Sequence, residues 1–492
     1  MRLLKNSLKV EYLLLSLIIL IGFVARVYKL DSPIADWHSW RQADTAAVTR
    51  NFIKEGFNPF FPKHDDMSGV AEKPFFNPGR FRFVEFPIYN IAAYPLYLVF
   101  GIADKYHRLV SVIFSLGSLV FVYMITKRYM NKATAYLAAF IFALLPYNVF
   151  FSRTTLPEPT FLFFALGMFY FVNRWIEEVN PRLYFVALFF TITSFLIKPW
   201  AIFFALPFVY TIFKIQNKIF PLKFNYINFF LIGITPFILW RLWILQYPEG
   251  IPASGWLMNG DGIRFRPMFW YWLVSERIGR EILGVTGAVL FFIGLLSRPI
   301  KGNYLLHILA LSLFAYFAIF ATGNVRHDYY QAIFVPVAAI FTAFGFSKLV
   351  TGFSGFVPRF WTIILAMLFL PLSFYFSWVS VKGFYQINNP SIIKAGIAAD
   401  ELLPKDARVV APYNGDTAFL YQTNRPGFPV TSLPLAELAS IYDVSYYVST
   451  AKDAKTKWAM MHFEIVLDDP EFIIINLKKV KGNLFDPKDL EP

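Results

Sequence analysis

Residues 87–101, PIYNIAAYPLYLVFG, decide how the chain is threaded. The stretch is apolar, yet it is fifteen residues long and interrupted by Pro95, whereas a straight transmembrane helix needs about 20 residues. If it spans, every later loop changes sides; if it lies in the interface, none does. Lys and Arg separate the two readings, because short cytoplasmic connections carry an excess of cations. With 87–101 kept in the interface, one side receives Arg2, Lys5, Lys9, Lys127, Arg128, Lys132, Arg174, Arg182, Lys214, Lys218, Lys223, Arg298, Lys301, Lys348 and Arg359, fifteen cations. The opposite side holds seven: Arg153, Lys198, Arg264, Arg266, Arg277, Arg280 and Arg326. The bias favours an interfacial segment, a cytoplasmic N-terminus, and a non-cytoplasmic side shared by residues 31–106, Arg153–Glu158, Lys198, the loop 246–282 and Arg326-His327-Asp328.

Working outward, composition sets the class. The 492 residues are 57% hydrophobic and 20% aromatic, with 16% charged, more apolar surface than a soluble chain of this length can bury. The net charge of +14 follows from the cytoplasmic cation excess and calls for no nucleic acid. The absence of cysteine removes disulfides, thiolate nucleophiles and Cys-ligated zinc. The first segment, Tyr12 to Leu30, is too long for a signal core and lacks a small-residue exit, so it reads as a retained anchor. About eleven spans are expected near 11–30, 107–127, 132–152, 158–175, 183–198, 199–214, 225–245, 283–297, 303–321, 329–347 and 359–380. The fold class is thus an all-α polytopic membrane domain, 1–384, with interfacial helices in its first outer loop. A soluble α/β extracytoplasmic domain, 385–492, follows. Its expected strands are Arg408–Tyr413, Val444–Ser449 and Phe472–Leu477; its expected helices are Ser391–Leu403, Pro434–Tyr442 and Lys452–His462.

The polar residues concentrate on the outer side. Asp36-Trp37-His38-Ser39-Trp40-Arg41-Gln42-Ala43-Asp44-Thr45 packs acids, an imidazole, a guanidinium and two indoles beside the first span, where polar groups are costly unless paired or used. Glu85, Arg153, Glu158, Lys198, Arg326, His327, Asp328, Tyr329 and Tyr330 fall on the same side. Each has a structural alternative: Arg153 and Lys198 as snorkelling helix ends, Glu158 as a helix N-terminal acid, Asp36 as the partner of Arg41, and Arg326 pairing with Asp328. Their position at span ends argues against a transport path, which puts polar residues near the midplane.

The order Trp40-Arg41-Gln42-Ala43-Asp44-Thr45, Glu85-Phe86-Pro87-Ile88-Tyr89, Arg108-Leu109-Val110-Ser111, Leu156-Pro157-Glu158, Ile197-Lys198-Pro199 and His327-Asp328-Tyr329-Tyr330 resembles the C-type membrane glycosyltransferases. The likeness is to the lipid A aminoarabinose transferases, protein O-mannosyltransferases and Rgt-like enzymes, and covers roughly residues 10 to 350. It implies an enzyme of the inner membrane that moves a sugar from a polyprenyl phosphate to a lipid, glycan or protein acceptor at the extracytoplasmic face, with inversion, in cell-envelope glycan or lipopolysaccharide synthesis. Asp44 and Glu158 are then the catalytic carboxylates, with Asp44 as base or acceptor-orienting group. Burial near a membrane is expected to raise the carboxyl's pKa toward such a role. Lys198, Arg153, His327, Tyr329 and Tyr330 are expected on the donor phosphate, and His38, Trp40, Arg41 and Glu85 on substrate. No cofactor or metal is expected, because Thr45 follows Asp44 where the family often has a second acid. Glu85-Phe86-Pro87 departs from the Lys-Pro-Pro of the branch that acts on lipid A. A flippase or transporter, or a polymerase or ligase of lipid-linked glycans, is the alternative.

Overall fold

The computed structural model describes residues 2–69, 76–217, 224–352 and 357–481, with side chains omitted for 2–8 and 301. Lys218 and Lys223, and the side chains of Arg2, Lys5 and Lys301, all counted above, lie outside the described residues. The chain divides into two compact units: 1–30, 108–243 and 254–384 form the first; 31–107, 244–253 and 385–492 form the second. The units are discontinuous in sequence, unlike the expected 1–384 and 385–492 division. The first loop folds with the C-terminal segment and not with the spans.

The first unit is helical. Helices occupy each of the eleven apolar stretches read from the sequence, some broken in two, as at Pro146, where Lys132–Leu144 gives way to Pro146–Phe151. Among the described residues, five helices are long and apolar enough to cross a membrane, or six if Pro267–Ile282 and Thr286–Leu296, bent by 114°, form one span. Close helix approach rests on small residues, as expected where apolar burial gives no preference between helices and lipid. A Cβ on Gly294 would sit 2.0 Å from the Phe341 carbonyl, and one on Gly345 1.8 Å from that of Leu290, so helices Thr286–Leu296 and Val335–Thr351 meet backbone to backbone. Arg26, fully buried, donates to Ser152 Oγ (2.7 Å), to the Gly22 carbonyl (2.9 Å) and to the Ala143 carbonyl (2.7 Å). It ties the first helix to its neighbours with charge-assisted bonds.

The second unit is built on a five-stranded mixed sheet: β1 (Val409–Val410), β2 (Gly427–Phe428), β3 (Tyr446–Ser449), β4 (Phe463–Asp468) and β5 (Ile473–Val480), in the order β2-β1-β3-β5-β4. β1 is parallel to β2 and β3; β5 is antiparallel to β3 and β4. Strand alternation explains its two cores. Val409, Val448 and Ile474 face one apolar cluster, while Val410, Tyr447, Ile473 and Ile475 face the other. The first cluster is closed by Ala43, Ala46 and Ala47 of helix Ser39–Glu55 and by Ile392, Ala395 and Ala399 of helix Ser391–Leu402. Residues at i, i+3 and i+4 form one helical stripe, and small ones let the helix that carries the acidic motif lie flat on the sheet. At the sheet edge Gly427 donates to the Asp65 carbonyl (2.9 Å) and accepts from Met67 N (2.8 Å), so the first loop extends β2 by a further extended segment. The expected strands and helices of 385–481 have their ends within three residues of those of β1, β3, β5 and helices Ser391–Leu402, Leu435–Ile441 and Ala454–His462. Two-residue β2, and β4, which abuts a helix without a turn signal, were not anticipated.

Candidate active site

The Asp44 group belongs wholly to the second unit. Helix Ser39–Glu55 starts at His38, held in the left-handed region at φ 57°, a conformation that costs a non-glycine residue about 1 kcal/mol or more and concentrates at functional sites. It ends at Gly56, φ 100°. A two-stranded ribbon, tied by His64 N to the Arg80 carbonyl (2.9 Å) and Arg82 N to the Pro62 carbonyl (2.8 Å), crosses the helix. Alternate ribbon residues reach Asp44. Arg82 Nη2 lies 2.8 Å from Oδ2, and His64 Nδ1 3.4 Å from Oδ1. From the C-terminal segment, Thr417 Oγ1 lies 2.8 Å from Oδ1 and 3.0 Å from the Trp40 carbonyl.

Asp44 is thus buried, with both oxygens engaged. Burial by itself pushes its carboxyl up, but the Arg82 guanidinium, His64 and the Thr417 hydroxyl outweigh it and hold the group well below the usual carboxylate range. The expected rise is therefore reversed: burial is the largest single influence, but Arg82, His64 and Thr417 together exceed it. Such a carboxylate stays ionised at neutral pH and is a weak proton acceptor, which favours orienting a hydroxyl over removing its proton.

Around it, Arg41 Nη2 contacts both oxygens of Glu85 at 2.6 and 2.8 Å, and Asp36, expected beside Arg41, accepts from Gln42 Nε2 at 2.7 Å. Ser39 Oγ donates to Asp416 at 2.6 Å. His38 packs edge-on against Trp37, ring centroids 5.3 Å apart. His38, Trp40, Arg41, Asp44 and Glu85 therefore all lie in this unit.

The remaining expected residues lie in the first unit. Pro199 disfavours helical backbone at Lys198, which is extended and ends helix Pro181–Ile197. Its ammonium donates to Glu158 Oε1 at 2.6 Å, and both side chains are buried. Glu158 opens helix Glu158–Glu178 between two prolines, where the helix dipole favours an anion; its Oε2 has no hydrogen-bond partner among the described residues. Lys198 Nζ lies 4.4 Å from the Trp200 ring centroid and 5.7 Å from that of Tyr330. Tyr330 packs edge-on to His327 at 5.2 Å, and Tyr329 stacks on His327 at 5.3 Å. Glu158, Lys198, His327, Tyr329 and Tyr330 thus form one connected group. Arg153, fully buried, donates to the Lys29 carbonyl at 3.0 Å and lies over the Phe150 ring, so the structure gives it a tie to the end of the first helix. The expected Arg326–Asp328 pair is replaced: Asp328 pairs with Arg277, while Arg326 lies 3.4 Å from Asp261. Arg277 also pairs with Glu281, one turn on in the π-helix Trp272–Ile282, a wound form frequent at functional sites.

Sequence reasoning missed Arg82, His64 and Thr417. Thr417 lies 373 residues from its partner, and a pairing at that separation leaves no local pattern. The alternation of Arg80, Arg82 and His64 about a ribbon was the available signal.

Residues 87–243 match the model of the dolichyl-phosphate-mannose-protein mannosyltransferase family. The match takes in Arg108, Arg153, Glu158 and Lys198. Among solved structures, ArnT from Cupriavidus metallidurans bound to undecaprenyl phosphate superposes with a TM-score of 0.62 at 12% identity, over 97% of this chain and 99% of that one. The Archaeoglobus fulgidus oligosaccharyltransferase in complex with zinc and sulfate gives 0.57 at 13% identity, over 91% of this chain and 69% of that one. The chain shares the fold of these two solved structures. The family model over residues 87–243 and the shared fold agree with the resemblance read from the motifs. An uncharacterized protein of Aquifex aeolicus is 30% identical over 120 residues, 24% of this chain and 29% of that protein.

Proposed function

We propose that the protein transfers a sugar from a polyprenyl-phosphate donor to a hydroxyl acceptor at the extracytoplasmic face of the inner membrane, with inversion. The observation that carries this reading is Asp44, a buried carboxylate kept ionised by Arg82, His64 and Thr417 inside the motif that resembles the family's acidic loop. Asp44 is assigned to the acceptor. It accepts the hydrogen bond of the attacking hydroxyl and aligns its lone pair with the anomeric carbon. The new bond forms from that oxygen to C1 as the bond from C1 to the phosphate oxygen breaks, and polyprenyl phosphate leaves with the electron pair. The acceptor proton, strongly acidic once its oxygen has bonded to C1, is lost late on the attacking face, through the Asp44 carboxylate to solvent, while the phosphate departs from the opposite face.

The Lys198–Glu158 pair is assigned to the donor phosphate. A lysine balanced by a buried acid can exchange part of that pairing for a phosphate oxygen, so charge that grows on the leaving group meets a cation already in place. His327, Tyr329 and Tyr330 supply further donors beside it. His38, Trp40, Arg41 and Glu85 are assigned to holding the acceptor, and no metal enters the scheme. Mass spectrometry of lipids retained by the protein, extracted from its native membrane, tests the donor. A polyprenyl phosphate or its glycosylated form, lost on Lys198→Met, supports the assignment; phospholipids alone, unchanged by that substitution, would refute it.

A further inference from the structure

A second pocket of the same unit has no role in this scheme. It has a volume of about 310 Å³ and is lined by Asn51, Glu55, Asn58, Phe61, Lys63 and Phe81, with Phe52 behind them, a size at the lower end of small-molecule sites. Helix Ser39–Glu55 supplies its near wall. Asn51 and Glu55 follow Asp44 by seven and eleven residues, which at about 100° per residue returns all three to within roughly 20° of one face. The pocket therefore lies about 10 to 16 Å along the helix from Asp44. Its far wall is the ribbon that delivers His64 and Arg82 to Asp44, contributing the alternate residues Phe61, Lys63 and Phe81.

From this chemistry we infer that the pocket is an acceptor subsite for a neutral sugar residue, one that holds the acceptor remote from its reacting hydroxyl. The inference rests on the transferase reading above. Phe61 and Phe81, ring centroids 5.4 Å apart and held against Tyr247, supply the apolar part of the lining, which suits the C–H face of a pyranose. Asn51 Nδ2 is held by the Lys63 carbonyl and Asp65 Oδ1, both at 3.1 Å, and Asn58 Oδ1 accepts from Phe60 N, so the two side chains are fixed in place, and with the Glu55 carboxylate they give the lining both donors and acceptors for vicinal hydroxyls. Glu55 pairs with Lys63 at 3.2 Å and with Arg80, so its charge is met within the protein and no cationic ligand is called for. Glu55 and Lys63 keep 32% and 37% of their side-chain surface exposed, leaving polar atoms open to a ligand. A peptide is disfavoured because the ribbon's main-chain groups beside the pocket already bond each other, His64 N to Arg80 O and Arg82 N to Pro62 O, with no edge offered for strand addition.

Saturation-transfer NMR on the full-length protein in nanodiscs, with methyl α-mannoside, maltotriose and chitotriose as probes, tests this without any turnover. Saturation of sugar C–H protons that falls about 5-fold, roughly 1 kcal/mol of binding, in Phe81→Leu and in Glu55→Gln is the expected result. Glu55→Gln, at a half-exposed rim position, keeps the test valid if Phe81→Leu fails to fold. No saturation of any probe, or saturation equal in both variants, overturns the proposal, as does saturation of a short peptide panel in place of the sugars. Consumption of the lipid-linked donor is measured in parallel. Its absence alone counts against the transferase reading, whereas normal consumption with no sugar saturation counts against this subsite.

Discussion

Asp44 and Glu158 are both buried acids paired to a cation, and the difference between them separates two kinds of chemistry. Asp44 is held by side chains from three separate segments, Arg82 and His64 on the ribbon and Thr417 near the C-terminal sheet, so its position and its charge are both fixed. Glu158 has Lys198 on one oxygen and no hydrogen-bond partner among the described residues on the other. A buried acceptor left without a bond costs about 1–3 kcal/mol, a cost that a site retains where a ligand supplies the missing partner. The first acid is held on both oxygens; the second keeps one oxygen without a hydrogen-bond partner among the described residues, which is why we assign the first to orienting and the second to exchange.

The comparison can be broken from its more adaptable side first. Lys198→Met leaves Glu158 buried and uncompensated, which costs about 3–5 kcal/mol of stability, and removes the proposed phosphate cation. Transfer is expected to fall by 10³-fold or more, and Lys198→Met combined with Glu158→Gln should recover most of the stability but none of the activity, as read by thermal unfolding and initial rates. Recovery of both would reduce the pair to a structural ion bridge.

On the fixed side, Arg82→Gln removes the group that holds the Asp44 carboxyl low, so that burial raises it. The sign follows from linkage: a depressed carboxylate adds stability above its unfolded pKa of about 4, and that stability is lost as pH falls through the folded value. The variant should lose transfer by roughly 10²-fold at neutral pH and should unfold in acid at a higher pH than the parent, measured by tryptophan fluorescence. An unchanged acid profile would mean that Arg82 does not set the charge on Asp44.

Glu158→Gln keeps the shape of the pair but removes its charge balance. We expect a loss of about 10-fold in kcat/KM expressed mainly in KM for the donor, since the free cation still binds phosphate; a loss confined to kcat would move Glu158 into the chemical step. Thr417→Val deletes one hydroxyl from Asp44, for about 1 kcal/mol. Thr417→Ser should retain wild-type stability, and a Thr417→Ser variant as impaired as Thr417→Val would locate the effect in the methyl group.

The helices were legible because apolar runs are local signals, and helices stand at each of the eleven stretches, of which five or six are long and apolar enough to cross a membrane among the described residues. The sites were legible as residue types but not as partnerships. Lys198 and Glu158 were singled out through the motifs Ile197-Lys198-Pro199 and Leu156-Pro157-Glu158, and nothing in those motifs shows that the two side chains pair. Thr417 could not be found, since it meets Asp44 only when a sheet folded from residues 409–480 receives the first loop on its face. The same long-range folding reversed the expected shift of the Asp44 carboxyl: burial is readable from hydropathy, but Arg82, 38 positions later in the chain, is placed by the ribbon.

The most direct test is transfer of radiolabelled sugar from a polyprenyl-phosphate donor by the protein in proteoliposomes, wild type against Asp44→Asn. The amide keeps the shape and the Thr417 bond but removes the charge that Arg82 and His64 surround. The account predicts a loss of about 10³-fold in kcat with donor binding retained. Full activity in Asp44→Asn would contradict it.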